Sequence, residues 1–296
     1  ERVMGCDKSG ISVLSLFDGM SCGQIALDRL GVKTSVYFAS EIDRYAIKAT
    51  QFNFPKTIQL GDVCSINSAT LPKIDLVIGG SPCQGFSFAG KRLNFEDPRS
   101  KLFFEFVRLL NECRAKNPDI IFLLENVVMT REHQMIISKY LGVEPIRINS
   151  NLVTAQNRDR LYWTNINTRQ INLFGDLQSS ISQPNDRFKM LADMLEAYAD
   201  EKYFVSERVL ARADRRNYSR PKILPKKTGT LTAKNNSGQM CLDAGTTLIP
   251  VYSKDGTAPR LRRLTIGEAA SLQGVTKDYF FNGPQQIVSD TQIYRM

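Results

Sequence analysis

The sequence predicts an α/β protein built on a doubly wound, mostly parallel sheet. Short branched-aliphatic runs end in glycine or acidic residues, and most are followed by segments with helical spacing. This alternation produces parallel strands joined by right-handed crossovers, with ligands bound beyond the carboxyl ends of the strands. The 296 residues, 42% of them hydrophobic, suffice for one large domain and a smaller one.

The first half of the chain carries this alternation. Residues 11–17 predict the first strand, and a glycine-containing turn leads into a helix over about 24–30 that stops at Gly31. Residues 36–39 predict the second strand, and Asp43 is placed to cap the helix after it. The remaining predictions are strands at 57–60, 76–78 and 120–124 and a helix at 100–114.

The alternation fades after Trp163. Residues 167–257 are turn-rich and weakly periodic, which predicts a smaller, irregular second domain. Helical signals return at Thr265, which forms a capping-box pattern with Glu268. The predicted boundaries are 1–166 for the main domain, 167–257 for the second domain and 258–296 for the return to the main domain.

The formal net charge of +9 is unevenly distributed. Residues 202–263 contain fourteen Lys or Arg against four Asp or Glu, a surplus of ten, so the rest of the chain is close to neutral. A basic segment on a neutral body is typical of a surface that binds a polyanion. A solvated face that only aids solubility has the same composition and remains the alternative.

The cysteine and histidine content excludes several kinds of site. The six cysteines show no C-x-x-C spacing, and His133 is the single histidine. This argues against a zinc site, and against a hydrolytic Cys-His pair unless His133 meets Cys83. It predicts reduced thiols and an intracellular protein. No apolar run has the length of a membrane span, and no leader pattern precedes the first strand.

A thiol stands where the predicted strand at 76–78 turns, in Gly79-Gly80-Ser81-Pro82-Cys83-Gln84. The glycines allow a sharp turn and Pro82 stiffens the backbone before Cys83, although buried structural cysteines are common. Glu125 ends another predicted strand, and its partial burial there favours the protonated form. A thiol beside a general acid suggests covalent attack on an electron-poor ring. A helix N-cap is the alternative role for Glu125.

Three further features suit the binding of a nucleotide-like cofactor. The turn at Phe17–Gly23 follows a strand but is not G-x-G-x-x-G, which suits a cofactor without a pyrophosphate. Glu41 ends the second strand, where an acid bonds a ribose hydroxyl. Asp62, at the end of the third strand, is placed to bond an adenine amino group. For each acid, a helix cap or a loop residue remains the alternative.

Two groups of cations suit an anionic or polar ligand. Arg158 and Arg160 stand two apart, and in a strand this spacing puts both on one face, where they could clamp a carboxylate, a phosphate or a base carbonyl. A solvated arginine pair is the alternative. Lys91, Arg92 and Arg99, in the loop after Cys83, are placed to meet a phosphate backbone.

Together these stretches resemble the DNA (cytosine-5)-methyltransferase family. The resemblance covers about residues 11–166 and 258–296, and the family places its target-recognition domain in the variable middle. The family's ordered motifs are matched by the cofactor loop at 17–23, Pro-Cys-Gln at 82–84, Glu-Asn-Val at 125–127, Gln-x-Arg-x-Arg at 156–160 and the late motif at 263–274.

The resemblance implies a Rossmann-like methyltransferase fold, S-adenosylmethionine as methyl donor with S-adenosylhomocysteine as product, double-stranded DNA as partner, and no metal. It implies that Cys83 attacks C6 of a flipped cytosine, Glu125 holds or protonates N3, and Arg158 and Arg160 position the base and the attacking centre. The implied cofactor-binding residues are Phe17, Asp18, Gly19, Met20, Ser21, Cys22, Glu41, Ile42, Asp62, Val63, Ser81 and Leu102. The implied DNA-binding residues are Gln84, Ser87, Lys91, Arg92, Arg99, Thr230 and Lys234.

The sequence departs from the family pattern in three places. Ser81 stands where most bacterial members have proline, and Ser21-Cys22 replace glycines common in the cofactor loop. The Gly-Asn motif that completes the family's cofactor pocket is not found before Met296. Two alternatives keep the fold. One is methylation of tRNA, although the Cys-Phe-Thr signature of those relatives is not found, and the other is a non-catalytic DNA-binding paralogue.

Overall fold

The computed structural model describes residues 10–81, 98–215, 221–231, 246–252, 258–282 and 285–293. The chain divides into two compact units: unit 1 comprises residues 1–148 and 159–183, and unit 2 comprises residues 149–158 and 184–296. The domain boundaries expected after residues 166 and 257 stay predictions. None of the helices in the described ranges is long and apolar enough to span a membrane.

A seven-stranded sheet lies at the centre of unit 1. Its strands are β1 (Ile11–Leu16), β2 (Thr34–Ser40), β3 (Ile58–Gln59), β4 (Leu76–Gly79), β5 (Ile121–Val127), β6 (Ile146–Asn149) and β7 (Asp159–Thr164). Their order is β3-β2-β1-β4-β5-β7-β6. The first five strands pair in parallel, whereas β7 runs antiparallel to β5. The predicted doubly wound, mostly parallel sheet is therefore confirmed. Its order reverses between β1 and β4, the position at which such sheets bind ligands.

Four helices of unit 1 connect these strands: α1 (Cys22–Arg29), α2 (Arg44–Asn53), α3 (Pro98–Lys116) and α4 (Arg131–Leu141). The Asp43 side chain accepts hydrogen bonds from the backbone N–H groups of Tyr45 and Ala46, which confirms the predicted cap of α2. The core of the unit joins apolar residues of the strands to those of α3 and α4, including Leu14, Val77, Phe103, Phe106, Phe122 and Trp163. A hairpin of β8 (Thr168–Gln170) and β9 (Leu177–Ser179) completes the unit.

The structure corrects three sequence expectations. Strand β5 continues to Val127 and α4 begins only at Arg131, so the N-cap alternative for Glu125 is wrong. Helix α3 begins at Pro98, because proline suits the first helical position, and Arg99 therefore lies in its first turn rather than in a loop. Strand β7 was not foreseen between β5 and β6. It follows its neighbour β6 after only nine residues, too few for a parallel crossover between these two strands. On its other side it pairs antiparallel to β5.

Unit 2 is built from short elements around a small apolar core. A three-stranded sheet pairs β10 (Lys222–Ile223) with β11 (Thr247–Val251) in parallel and β11 with β12 (Arg260–Arg262) antiparallel. The core comprises Ala155, Leu191, Ile249, Leu264 and Leu272. The elements are α5 (Glu207–Arg215), β10 (Lys222–Ile223), β11 (Thr247–Val251), β12 (Arg260–Arg262), α6 (Ile266–Leu272), β13 (Phe281–Asn282), β14 (Gln285–Gln286) and α7 (Asp290–Ile293).

A buried ion pair fixes β12 to α6. Arg262 donates to both carboxylate oxygens of Glu268 at 2.7 and 2.8 Å, and the two side chains are only 4% and 0% exposed. The Glu268 carboxylate also accepts from the backbone N–H groups of Thr265 and Glu196, and the Glu268 N–H donates to the Thr265 hydroxyl. The predicted capping box at Thr265 is therefore confirmed, and its carboxylate is fully coordinated within unit 2.

We expect Arg262→Met to lower the local stability of unit 2 by about 3–5 kcal/mol, because it leaves a buried carboxylate without its cation. Hydrogen exchange of the α6 amides measures this loss. The fluorescence of Trp163, the single tryptophan, reports on unit 1 and should change little.

Arg260→Met is the matched control. Arg260 lies two residues earlier in β12, is exposed, and pairs with the exposed Glu201. Its loss should leave exchange of the α6 amides nearly unchanged, and equal effects of the two substitutions would contradict the role given to the buried pair.

Candidate active site

The loop that follows β1, residues 17–21 and here called the β1 loop, has an unusual backbone. Phe17, Gly19 and Ser21 all have positive φ angles, of 58°, 58° and 63°. Glycine adopts this conformation without cost, whereas a residue with a Cβ loses about 1–2 kcal/mol. Strain of this kind persists only where neighbouring groups hold the backbone, and it concentrates at functional sites.

The carboxyl end of β2 holds the β1 loop in place. The Asp18 N–H donates to the Ser40 carbonyl at 3.0 Å, and the Gly19 N–H donates to Glu41 Oε2 at 2.8 Å. Glu41 Oε1 accepts from the N–H groups of Ile42 and Asp43, each at 2.8 Å. Glu41 therefore braces the local backbone, as its loop alternative expected, and its contact with a ribose stays a prediction.

Asp18 places a buried carboxylate under the β1 loop. The Tyr37 hydroxyl donates to Asp18 Oδ1 at 2.9 Å, while the buried Oδ2 has no hydrogen-bond partner in the described part of the chain. Burial raises the pKa of Asp18 above its usual value, and the hydroxyl groups of Ser15, Ser21 and Tyr37 offset part of that rise. Burial, followed by the charge of Asp18, raises the pKa of Tyr37 well above its usual value. A buried acceptor without a partner at this edge of the sheet fits a ligand that brings a donor.

The end of β3 lies beside the end of β2. The Ser40 hydroxyl donates to the Gly61 carbonyl at 2.7 Å, and Asp62 Oδ1 accepts from the Cys64 N–H at 2.9 Å. Asp62 thus caps a short 3₁₀ turn, as the helix-cap alternative predicted. Its contact with an adenine stays a prediction. The other predicted cofactor residues of unit 1 are the buried Met20 and Val63, the partly buried Phe17 and Leu102, and the exposed Cys22 and Ile42.

Glu125 lies near the end of β5 and is held by a cation. Arg160 Nε, in β7, lies 2.7 Å from Glu125 Oε1, and the two side chains are 12% and 29% exposed. A Cβ added to Gly80 would lie 3.0 Å from Glu125 Oε2. The carboxylate therefore lies over the Gly80 backbone, three residues before Cys83 in the chain. This neighbourhood confirms that the ends of β4 and β5 converge, and a side chain at residue 80 would have to displace the Glu125 carboxylate.

Asn126 ties the end of β4 to β5. Its Nδ2 donates towards the Ser81 hydroxyl at 3.2 Å and the Ser81 carbonyl at 3.4 Å, and both residues are buried. Ser81, the residue that stands in place of the family's proline, is therefore held from the neighbouring strand. The sequence predicts a turn at Gly80 but not its closeness to Glu125, nor the hydrogen bonds of Asn126 and Tyr37; for Asn126 the motif at 125–127 was the available signal.

Arg158 lies outside the strand that contains Arg160. Strand β7 begins at Asp159, so Arg158 lies before the strand and belongs to unit 2, whereas Arg160 belongs to unit 1. Because Arg158 precedes the strand by one residue, the expectation that both arginines share one face stays a prediction. Within unit 2 the Arg158 N–H donates to Asn149 Oδ1 at 3.1 Å, and the Thr230 hydroxyl donates to the Asn157 carbonyl at 2.8 Å.

Several predicted site residues lie outside the described residues. They are Cys83, Gln84, Ser87, Lys91, Arg92 and Lys234. The predicted contacts of these residues with the substrate or with phosphates stay predictions. In the ranges that the structure does describe, no group of three or more His, Cys, Asp or Glu side chains is arranged to hold a metal ion.

Part of the basic surplus at residues 202–263 is neutralised within unit 2. Lys202 pairs with Asp290 at 2.8 Å, Arg260 pairs with Glu201, and Arg262 pairs with Glu268. All three acids lie outside the basic segment. Composition alone therefore overstates the charge that this segment offers to a polyanion.

Three comparisons with known proteins agree. The family model described as "C-5 cytosine-specific DNA methylase" matches residues 11–296. A type II methyltransferase of Lactococcus lactis subsp. cremoris is 32% identical over 96% of this chain and 72% of its own length. A type II methyltransferase of Neisseria lactamica is 30% identical over 96% of this chain and 90% of its own length.

A solved structure shows the same fold. The Dnmt2 methyltransferase of S. pombe superposes with a TM-score of 0.70 at 20% identity, over 96% of this chain and 92% of that one. The similarity covers most of both chains, so it supports the predicted Rossmann-like methyltransferase fold.

We expect Asn126→Ala to lower the free energy of unfolding of unit 1 by about 1–3 kcal/mol, because it leaves buried polar groups of Ser81 without their donor. Urea unfolding followed by Trp163 fluorescence measures the loss. Asn111→Ala, on the exposed side of α3, is the control and should change stability by no more than about 0.5 kcal/mol. Equal losses in the two variants would show that the hydrogen bonds from Asn126 to Ser81 do not stabilise unit 1.

Proposed function

Because the chain belongs to the C-5 cytosine-specific DNA methylase family, we propose that it methylates C5 of cytosine in double-stranded DNA, with S-adenosylmethionine as methyl donor. The observation that carries the proposal is the Glu125 carboxylate, held by Arg160 and lying over Gly80 just before Cys83. The carboxylate is the candidate acid, and it lies at the end of β5 beside β4, the strand from which the chain continues to Cys83.

The edge of the sheet formed by β1, β2 and β3 suits S-adenosylmethionine. The Asp18 Oδ2 atom, buried without a partner among the described residues, would accept from the ammonium group of the methionine part. Glu41 and Asp62 would bond the ribose and the adenine, with Phe17, Val63 and Leu102 supplying apolar contacts. When bound, S-adenosylmethionine supplies a methyl group on a positively charged sulfur, which C5 of the activated base attacks.

Cys83 is the proposed nucleophile. Its thiolate adds to C6 of a cytosine that has left the base stack, because C6 cannot be reached inside the duplex. A carbon–sulfur bond forms, and the electron pair of the C5–C6 double bond moves towards C5 and N3. After methylation a base removes the C5 proton, the double bond re-forms and the Cys83 thiolate leaves.

Glu125 stabilises the charge that builds on the ring. Its carboxyl group would bond or protonate N3 as electron density arrives there. Arg160 orients the carboxyl group from the Oε1 side, so Oε2 is the atom that faces the β4 end. Arg158 would position the base or the attacking centre.

The proposed DNA contacts lie in the segment after Cys83, in the first turn of α3 and in the basic segment of unit 2. Lys91, Arg92 and Arg99 would hold phosphates, while Gln84, Ser87, Thr230 and Lys234 would contact the target strand or its bases. The basic residues with internal partners would contribute little to this binding. The type II methyltransferase relatives support a role beside a restriction enzyme in an intracellular setting.

We expect Cys83→Ala to abolish methyl transfer to duplex DNA, because it removes the thiolate that adds to C6. Binding of S-adenosylhomocysteine, measured by calorimetry, should stay within a few-fold of the wild-type protein. A variant that turns over at the wild-type rate would refute the assignment of the nucleophile.

Two further measurements separate the alternatives in the same assay. Duplex DNA containing 5-fluorocytosine should trap the wild-type protein covalently, whereas a non-catalytic paralogue would form no adduct. Unlabelled duplex DNA should compete with labelled DNA more strongly than tRNA does, and the reverse order would favour an RNA substrate.

We expect binding of S-adenosylhomocysteine to weaken as the pH falls, because the Asp18 carboxylate must be charged to hold an ammonium group. Burial raises the pKa of Asp18, so the loss should begin at a higher pH than for an ordinary aspartate. Asp18→Asn should weaken binding at neutral pH roughly 10- to 150-fold, which corresponds to about 1.5–3 kcal/mol. It should also remove this pH dependence, and a variant that keeps the wild-type pH profile would contradict the role of Asp18.

A further inference from the structure

Ser21 ends the β1 loop in a conformation that serine rarely adopts. Its φ of 63° and ψ of 42° lie in the left-handed region, where glycine is favoured. The residue occupies the N-cap position of α1, at which a serine hydroxyl usually accepts a hydrogen bond from the first helical turn. Here it makes no such cap bond. Something other than helix capping must therefore hold Ser21.

Besides the Ser21 N–H, which donates to the Asp18 carbonyl at 3.0 Å, the side chain of Gln24 holds Ser21. Its Nε2 donates one hydrogen bond to the Ser21 hydroxyl at 2.8 Å and the other to the Thr57 hydroxyl at 2.7 Å. All three residues are buried. The bonds are therefore shielded from water, and removing either acceptor leaves an amide hydrogen unsatisfied.

Thr57 is a fixed point for this link. Its N–H donates to the Phe54 carbonyl at 3.0 Å, and its carbonyl accepts from Gln51 Nε2 at 2.8 Å, so it is secured to the end of α2. Thr57 directly precedes β3, which leads to Asp62. Gln24 thus joins the β1 loop, proposed to hold the methionine part of the cofactor, to the segment proposed to hold the adenine.

We propose that Gln24 and Thr57 are positioning residues for S-adenosylmethionine, which hold Ser21 and the β1 loop in the conformation that binds it. The inference rests on the proposed function. A glycine at position 21 would adopt the left-handed conformation without assistance, whereas serine needs the buried link. Gln24 and Thr57 therefore offset the departure of this chain from the glycine-rich loop of its family.

The first test is the affinity for S-adenosylhomocysteine, measured by calorimetry. Gln24→Leu keeps the side-chain bulk but removes both donated bonds, and it should weaken binding about ten-fold, or about 1.4 kcal/mol. Thr57→Val should act in the same direction, while Thr57→Ser keeps the hydroxyl and should bind as the wild type does. Equal affinities of the Val and Ser variants would overturn the proposal.

The second test asks whether Gln24 acts through Ser21. In a Ser21→Gly background, Gln24→Leu should cost less than two-fold in affinity, because glycine does not need the link. A ten-fold loss in that background as well would show that Gln24 acts by another route and would overturn the proposal. In turnover assays Gln24→Leu should raise KM for S-adenosylmethionine about ten-fold and leave kcat within two-fold.

Two controls separate this inference from the proposed function and from general stability. A wild-type protein that fails to bind S-adenosylhomocysteine would overturn the proposed function and this inference together, whereas tight wild-type binding with unchanged variants would overturn the inference alone. The thermal midpoint of the cofactor-free protein is measured for every variant. Should Gln24→Leu lower that midpoint strongly, the near-isosteric Thr57→Val and Thr57→Ser pair decides the question.

Discussion

The Glu41 carboxylate is the interaction on which the candidate site depends. It gathers backbone N–H groups from both sides of the gap between β1 and β2: Gly19 on one side, Ile42 and Asp43 on the other. Without this acceptor, three donors at the edge of the sheet would need water, and the strained β1 loop would lose one of its ties to the end of β2. The acid at this position therefore has a structural role, and the proposed contact with a ribose would use the same carboxylate. Two other carboxylates also accept from backbone N–H groups: Asp62 caps a turn, and Glu268 completes a helix cap and pairs with Arg262.

Much of the fold can be predicted from local patterns in the sequence. Short aliphatic runs ended by Gly or an acid predict parallel strands, and the adjacency of β4 and β5 brings the end of β4, from which the chain continues to Cys83, beside the end of β5. The caps at Asp43 and Thr265 are local, so a few residues suffice to predict them. Strand β7 escaped prediction because its place between β5 and β6 depends on pairing with a strand more than thirty residues away.

The sequence names candidate site residues, whose roles stay predictions, but not the side chains that support them. Arg160 against Glu125, Tyr37 against Asp18 and Asn126 against Ser81 each join groups that are distant in the chain, at a depth set by packing. Motif spacing identifies the candidate reacting groups but not the neighbouring side chains that bond to them. Charge counting has a similar limit, because it does not distinguish Arg262, enclosed beside Glu268, from a cation that faces solvent.

The enclosed Arg262–Glu268 pair also limits how the chain can be recombined. Glu268 receives hydrogen bonds from Glu196, more than sixty residues upstream, as well as from Arg262 and Thr265. A foreign segment grafted between Glu196 and Arg262 would leave every member of this network in place, whereas a longer graft that includes residue 262 would have to bring its own guanidinium. The two positions therefore set the outer limits within which the intervening segment can be exchanged without breaking the network.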